Sequence, residues 1–139
     1  MSIGQTGLGA ALIVGAIQLG VVPLLPSPPP IEVHSLVYEG GLMLQDRTVR
    51  TENDLFPASW RAAIYNAETD KPIEECVGSG FWNYTAGRNT FPIPVDEWVG
   101  RDECTVDFLR ALNVDVYGVA SWHWGDDHTP TFKTEAFTP

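Results

Sequence analysis

No Asp, Glu, Lys or Arg precedes Glu32. Met1 to Gly7 therefore lacks the basic residues that open a cleavable signal sequence, and the "VVPLLPSPPP" that follows the apolar stretch offers no Ala-x-Ala cleavage site. Basic residues are scarce throughout: eight Lys and Arg stand against eighteen Asp and Glu, for a formal net charge of -10. No Lys/Arg cluster relieves that charge, so a nucleic-acid backbone would be repelled and nucleic-acid binding is excluded as a function class. The acidity reads as a solubility device rather than as attraction to a basic partner.

Cysteine is equally sparse. Cys76 and Cys104 belong to no CxxC pair and no Cys/His zinc spacing. No serine sits in a GxSxG elbow, since "VGSGF" is not that motif, and the glycines of "GQTGLG" follow no strand that would make them a phosphate-binding loop. Glu74 with Glu75, and Asp126 with Asp127, are sequence neighbours whose side chains would diverge in a strand. The sequence thus names no catalytic residue and no cofactor, and the expectation is a non-enzymatic protein.

What is present divides the chain in three. Residues 1–25, with "IGQTGLGAALIVGAIQLGVVPLL" as their apolar run, would as a helix rising about 1.5 Å per residue cross a hydrocarbon layer of about 30 Å. A single-pass transmembrane helix is the expectation, with a removed signal or a helix buried among subunits of a large assembly as alternatives. At 100° per residue, Gly4, Gly7, Ala11, Gly15 and Gln18 fall in one sector. Such a stripe of small residues lets two helix backbones approach closely, so the predicted partners are the membrane and other transmembrane helices. Residues 26–31, opening with "PSPPP", form a proline-rich spacer that as polyproline would extend on the order of 15 Å.

Residues 32–139 alternate apolar and polar side chains between frequent turn residues, which predicts an antiparallel β domain. "IEVHSLVY" and "LMLQDRTV" read as strands divided by Gly40 and Gly41; "ASWRAAIYN" and "IEECVGSGFW" are joined by the turn residues of "AETDKP"; "FPIPVDEWVG" holds a single helical turn around Val95 to Trp98. The clearest strand is "VDVYGVASWHW", with Val114, Val116, Gly118, Ala120, Trp122 and Trp124 on one face and Asp115, Tyr117, Val119, Ser121 and His123 on the other. "TFKTEAF" returns as the last strand.

About seven short strands at intervals of roughly ten residues are what an immunoglobulin-like antiparallel β-sandwich needs. Leu112 to Trp124, with Tyr117 early in a central strand, resembles the second-last strand of such sandwiches, a likeness of architecture that implies no activity. A disulfide between Cys76 and Cys104 would need an oxidising compartment, which puts this domain in the periplasm or outside the cell; two free buried thiols are the alternative.

"SWHWGDDH" remains. Trp122 and Trp124 fall on the core face and "GDDHTP" has hairpin composition, so core packing is preferred over a platform for sugar stacking. His123, Asp126, Asp127 and His128 offer metal ligands at no established spacing, and the weak candidacy is set against turn capping. The polar face with Tyr117 and His123 is the candidate contact surface. "NYT" at Asn83 fits the glycosylation acceptor. Three functions follow as expectations: a membrane-anchored accessory or structural protein whose domain makes contacts with a protein partner or with itself; a virion or large-assembly component with its helix buried among subunits; and a metal- or carbohydrate-binding module centred on Trp122 to His128.

Overall fold

The computed structural model describes residues 28–139. The expected membrane helix and its stripe Gly4, Gly7, Ala11, Gly15 and Gln18 lie outside the described residues. Among those described, no helix is long and apolar enough to cross a membrane.

The strands run β1 (Ile31–Glu39), β2 (Leu42–Val49), β3 (Leu55–Asn66), β4 (Lys71–Thr85) and β5 (Gly87–Pro94), followed by two short helices, α1 (Val95–Val99) and α2 (Val106–Leu112), then β6 (Val116–Trp124), β7 (Asp127–His128) and β8 (Phe132–Lys133). Two antiparallel sheets result. One has the order β1-β2-β5; the other has the order β4-β3-β6-β7, with β8 also pairing β6. The expected two-sheet β architecture is therefore present, and the expected spacer gives way to β1 at Ile31, which is buried.

Local chemistry accounts for the elements. Gly40 and Gly41 both take positive φ at the β1–β2 turn, a conformation that a Cβ disfavours. Pro92 lies in β5, an edge strand that pairs only with β2, which is where a sheet tolerates a residue without an N–H. Pro57 lies in the part of β3 that pairs β4 before pairing with β6 begins at Ser59. The single turn expected at Val95 to Trp98 is α1, closed by Gly100 in the left-handed region.

α2 was not among the expected elements. Thr105 starts it by accepting from the Phe108 amide at 3.0 Å, and Asn113 ends it in the left-handed conformation. The last segment also differs from expectation: only Phe132–Lys133 pairs as a strand, with one further bridge between Val116 and Phe137.

The core lies between the sheets. β6 buries the expected row Val116, Gly118, Ala120 and Trp122, β3 buries Ala58, Ala62 and Ile64, and β2 contributes Met43 and Val49. A Cβ on Gly118 would come within 3.0 Å of both Met43 and Trp98, so the two sheets and α1 meet over that glycine. Cys76 on β4 and Cys104 between the helices are fully buried and joined in the expected disulfide. Arg101 adds a hydrogen bond from its Nη1 to the Val77 carbonyl at 2.9 Å, so α1 and the loop after it are fastened to β4 twice.

Candidate functional site

Three strands face a sheet whose main path has four, and the inner face of β4 is left partly uncovered. Along β4 the inward row is Cys76, Gly78, Gly80, Trp82 and Tyr84, yet Trp82 is 62% exposed. Gly78 admits the Val99 carbonyl of α1 where a Cβ would stand, and Gly80 leaves room that a side chain would fill. Trp60 on β3 occupies part of it: a Cβ on Gly80 would lie 2.7 Å from its indole, and one on Gly100 would lie 2.6 Å away. The remaining space is a cleft of about 400 Å³.

Its walls are aromatic. Trp60, Trp82, Tyr84, Trp98 and Trp122 contribute, with Ala62, Ala120 and Ile93 between them. Two of the indoles are fixed by buried hydrogen bonds: Trp98 Nε1 donates to Gln45 Oε1 at 3.1 Å, and Trp122 Nε1 donates to the Tyr84 hydroxyl at 2.9 Å. These bonds satisfy groups whose burial without partners would cost about 1–3 kcal/mol each, and they set the rings as rigid walls. Burial pushes the Tyr84 phenol up from its ordinary value, against the opposing effects of its bond to Trp122 and of nearby Arg47.

The buried polar content of the cleft comes from β2, whose inward row is Met43, Gln45, Arg47 and Val49, while Arg61 of β3 lines it from an exposed position. Arg47 is only 9% exposed. Its guanidinium carbon lies 4.2 Å from the Phe91 ring centre and 4.9 Å from that of Tyr84. Its Nε is buried with no hydrogen-bond partner. Glu97, exposed on α1, is the carboxylate among the lining residues.

Among the described residues, those singled out by sequence lie elsewhere, apart from Trp122. Trp122 is 3% exposed and belongs to the core, forming the inner end of the cleft. Trp124 packs edge-on against Phe56 with ring centres 5.5 Å apart. His123 and His128 are cross-strand neighbours around the Gly125–Asp126 hairpin, their rings 5.6 Å apart. Asp126 and Asp127 are exposed, and among the described residues no group of three or more His, Cys, Asp or Glu is placed to hold a metal ion. Tyr117 is on the same outward row of β6 as His123 but six positions away, roughly 20 Å at strand rise. It stacks on Tyr65, donates to Asp70 Oδ1 at 3.0 Å and lies under Lys133. Asn83 is exposed on the free side of β4.

Gln45, Arg47, Trp82 and Tyr84 were not expected as site residues. One signal was available: "VGSGFWNYTAG", residues 77–87, is an uncharged, aromatic run within the acidic part of the chain that begins at Glu32. Comparison with protein-family models, curated proteins and solved structures finds no match to this chain.

Proposed function

We propose that the chain is a non-enzymatic, membrane-anchored accessory protein whose β-sandwich is a recognition module of immunoglobulin-like type. The strand order supports that type: β1-β2-β5 against β4-β3-β6-β7 follows the immunoglobulin scheme of A-B-E against C-F-G, with β4 as an added edge strand beside β3. The observation that carries the function is the open aromatic cleft between β4 and β5. Large flat side chains, two of them locked by hydrogen bonds, face a space that the fold leaves unfilled, as binding sites do. Its lining holds no Ser, Cys, His or Asp, so binding is favoured over nucleophilic or metal chemistry at this place.

In this reading residues 1–25 anchor the chain and dock on partner helices through Gly4, Gly7, Ala11, Gly15 and Gln18, the proline-rich spacer stands the domain off, and the domain works in the periplasm or outside the cell. The disulfide fits that compartment. The test joins both ends. Release of the full chain from native membranes is expected to require detergent, and Gly7→Leu or Gly15→Leu to weaken cross-linked association. Trp82→Ala is expected to leave folding and membrane association intact while reducing what the domain binds. Release by salt alone would overturn the anchor, and unaltered binding by Trp82→Ala would overturn the recognition cleft.

A further inference from the structure

Arg47 deepens the reading of the cleft, and the inference rests on that reading. A guanidinium keeps its proton throughout the accessible pH range, so Arg47 is a buried cation. Burial lowers its pKa from a very high starting point and does not remove the charge. None of the ion pairs among the described residues includes it. Its central carbon lies over the rings of Phe91 and Tyr84, which stabilise the charge through their faces. They do nothing for the N–H groups along its edge, and Nε remains without an acceptor.

A guanidinium held by aromatic rings can still take a planar acceptor in its own plane, and a carboxylate is the group whose two oxygens match that fork. Phosphate matches it too, but its greater charge would meet stronger repulsion from a molecule of net charge -10, since the exposed Arg61 of the lining does no more than offset the exposed Glu97. A single negative charge is the better fit. The walls specify the rest of the ligand: Trp82 presents a broad exposed indole on the inward row, suited to a ring that has an apolar face. The volume of about 400 Å³ lies in the lower part of the range for small-molecule sites.

We propose that the cleft binds a carboxylate-bearing sugar ring of the uronic-acid kind, its carboxylate on the edge of Arg47 and its apolar face on Trp82. An aromatic carboxylate shares this chemistry, and the experiment separates the two. The full chain in detergent is titrated with a glucuronate oligosaccharide, with the same oligosaccharide after its carboxyl groups are reduced to alcohols, and with benzoate, followed by calorimetry and tryptophan fluorescence. The acidic oligosaccharide is expected to bind at least tenfold more tightly than its neutral counterpart and more tightly than benzoate. Arg47→Met is expected to abolish the preference for the acid, and Glu97→Gln, at an exposed position that leaves the core untouched, to tighten acid binding severalfold.

Equal binding of acidic and neutral oligosaccharides would overturn the carboxylate assignment and leave the recognition cleft standing. Tighter binding of benzoate would overturn the sugar. Binding of none of the three would overturn the whole inference, while the cleft itself stands or falls by Trp82→Ala on whatever ligand the domain holds in its native membrane. Should Arg47→Met fail to fold, the neutral counterpart and Glu97→Gln still decide the matter.

Discussion

Trp60 lies against two positions that have no side chain, and its place explains why the cleft keeps its shape. Gly80→Ala would put a methyl group 2.7 Å from the indole, and because Gly100 crowds the ring from another side the indole has little room to yield. A destabilisation of about 1–3 kcal/mol is expected, read as a lower urea midpoint together with altered tryptophan emission. A midpoint and spectrum like those of the parent would show the ring to be mobile. Tyr84 gives a second prediction at this scale. Its phenol and that of Tyr117 are both held above the ordinary value of 10.0, in each case chiefly by burial. Below that value the phenols are neutral in folded and unfolded chains alike, and their titration gives stability no pH dependence. Above it the unfolded chain ionises first, so the urea midpoint should be level up to about pH 10 and fall beyond it. Tyr84→Phe should make the fall shallower without removing it, because Tyr117 remains. Arg47 and Gln45 show why the site could not be read from sequence: in "LMLQDRTV" both alternate rows mix apolar with polar residues, so period-two counting does not say which faces inward.

At the scale of elements, the long alternating segments were legible and the short ones were not. β6 followed from clean alternation, the β1–β2 hairpin from its paired glycines, and α1 from the proline-broken segment before it. α2 escaped because it has seven residues and buries only Leu109 fully, too little to show a helical period. Neither helix is long enough to be stable by itself, and beside the Arg101–Val77 and Trp98–Gln45 hydrogen bonds the Cys76–Cys104 bond ties this region covalently to the sandwich. In the chain-entropy account, closing a loop with this separation of 28 contributes about 3.5 kcal/mol. For a domain of this size that corresponds to a fall of very roughly 10–20 °C in Tm on reduction. Because α1 carries Trp98 into the cleft, the reduced protein should also lose ligand binding at temperatures where the strands still give their circular dichroism. Loss of both signals together would show that the helices and sheets unfold as one unit.

Over the whole molecule every charged residue lies from Glu32 onward, so the formal charge of -10 belongs to the sandwich and its immediate entry. Glu32, Asp46, Glu103 and Asp107 each have an arginine within 4 Å; the other acids have no Lys or Arg that close among the described residues. These ion pairs lie at the surface, with Asp46 half-buried, and are individually worth about 0–1 kcal/mol, whereas repulsion among the unpaired acids acts across the whole surface and is screened beyond roughly 10 Å at 0.1 M salt. Self-repulsion should therefore outweigh the pairs, and sodium chloride between 0.05 and about 1 M should raise Tm by a few degrees before ions act as more than a screen. The same field bears on the ligand. Salt weakens the direct attraction of a carboxylate to Arg47 less than it weakens attraction between exposed charges, because that cation is buried, while it relieves the repulsion that an acidic oligosaccharide meets on approach. Binding of the acidic oligosaccharide should accordingly accelerate with added salt, seen in stopped-flow tryptophan fluorescence, with little change in its dissociation rate. A slower association at high salt would mean that exposed basic residues, rather than the buried guanidinium, draw the ligand in.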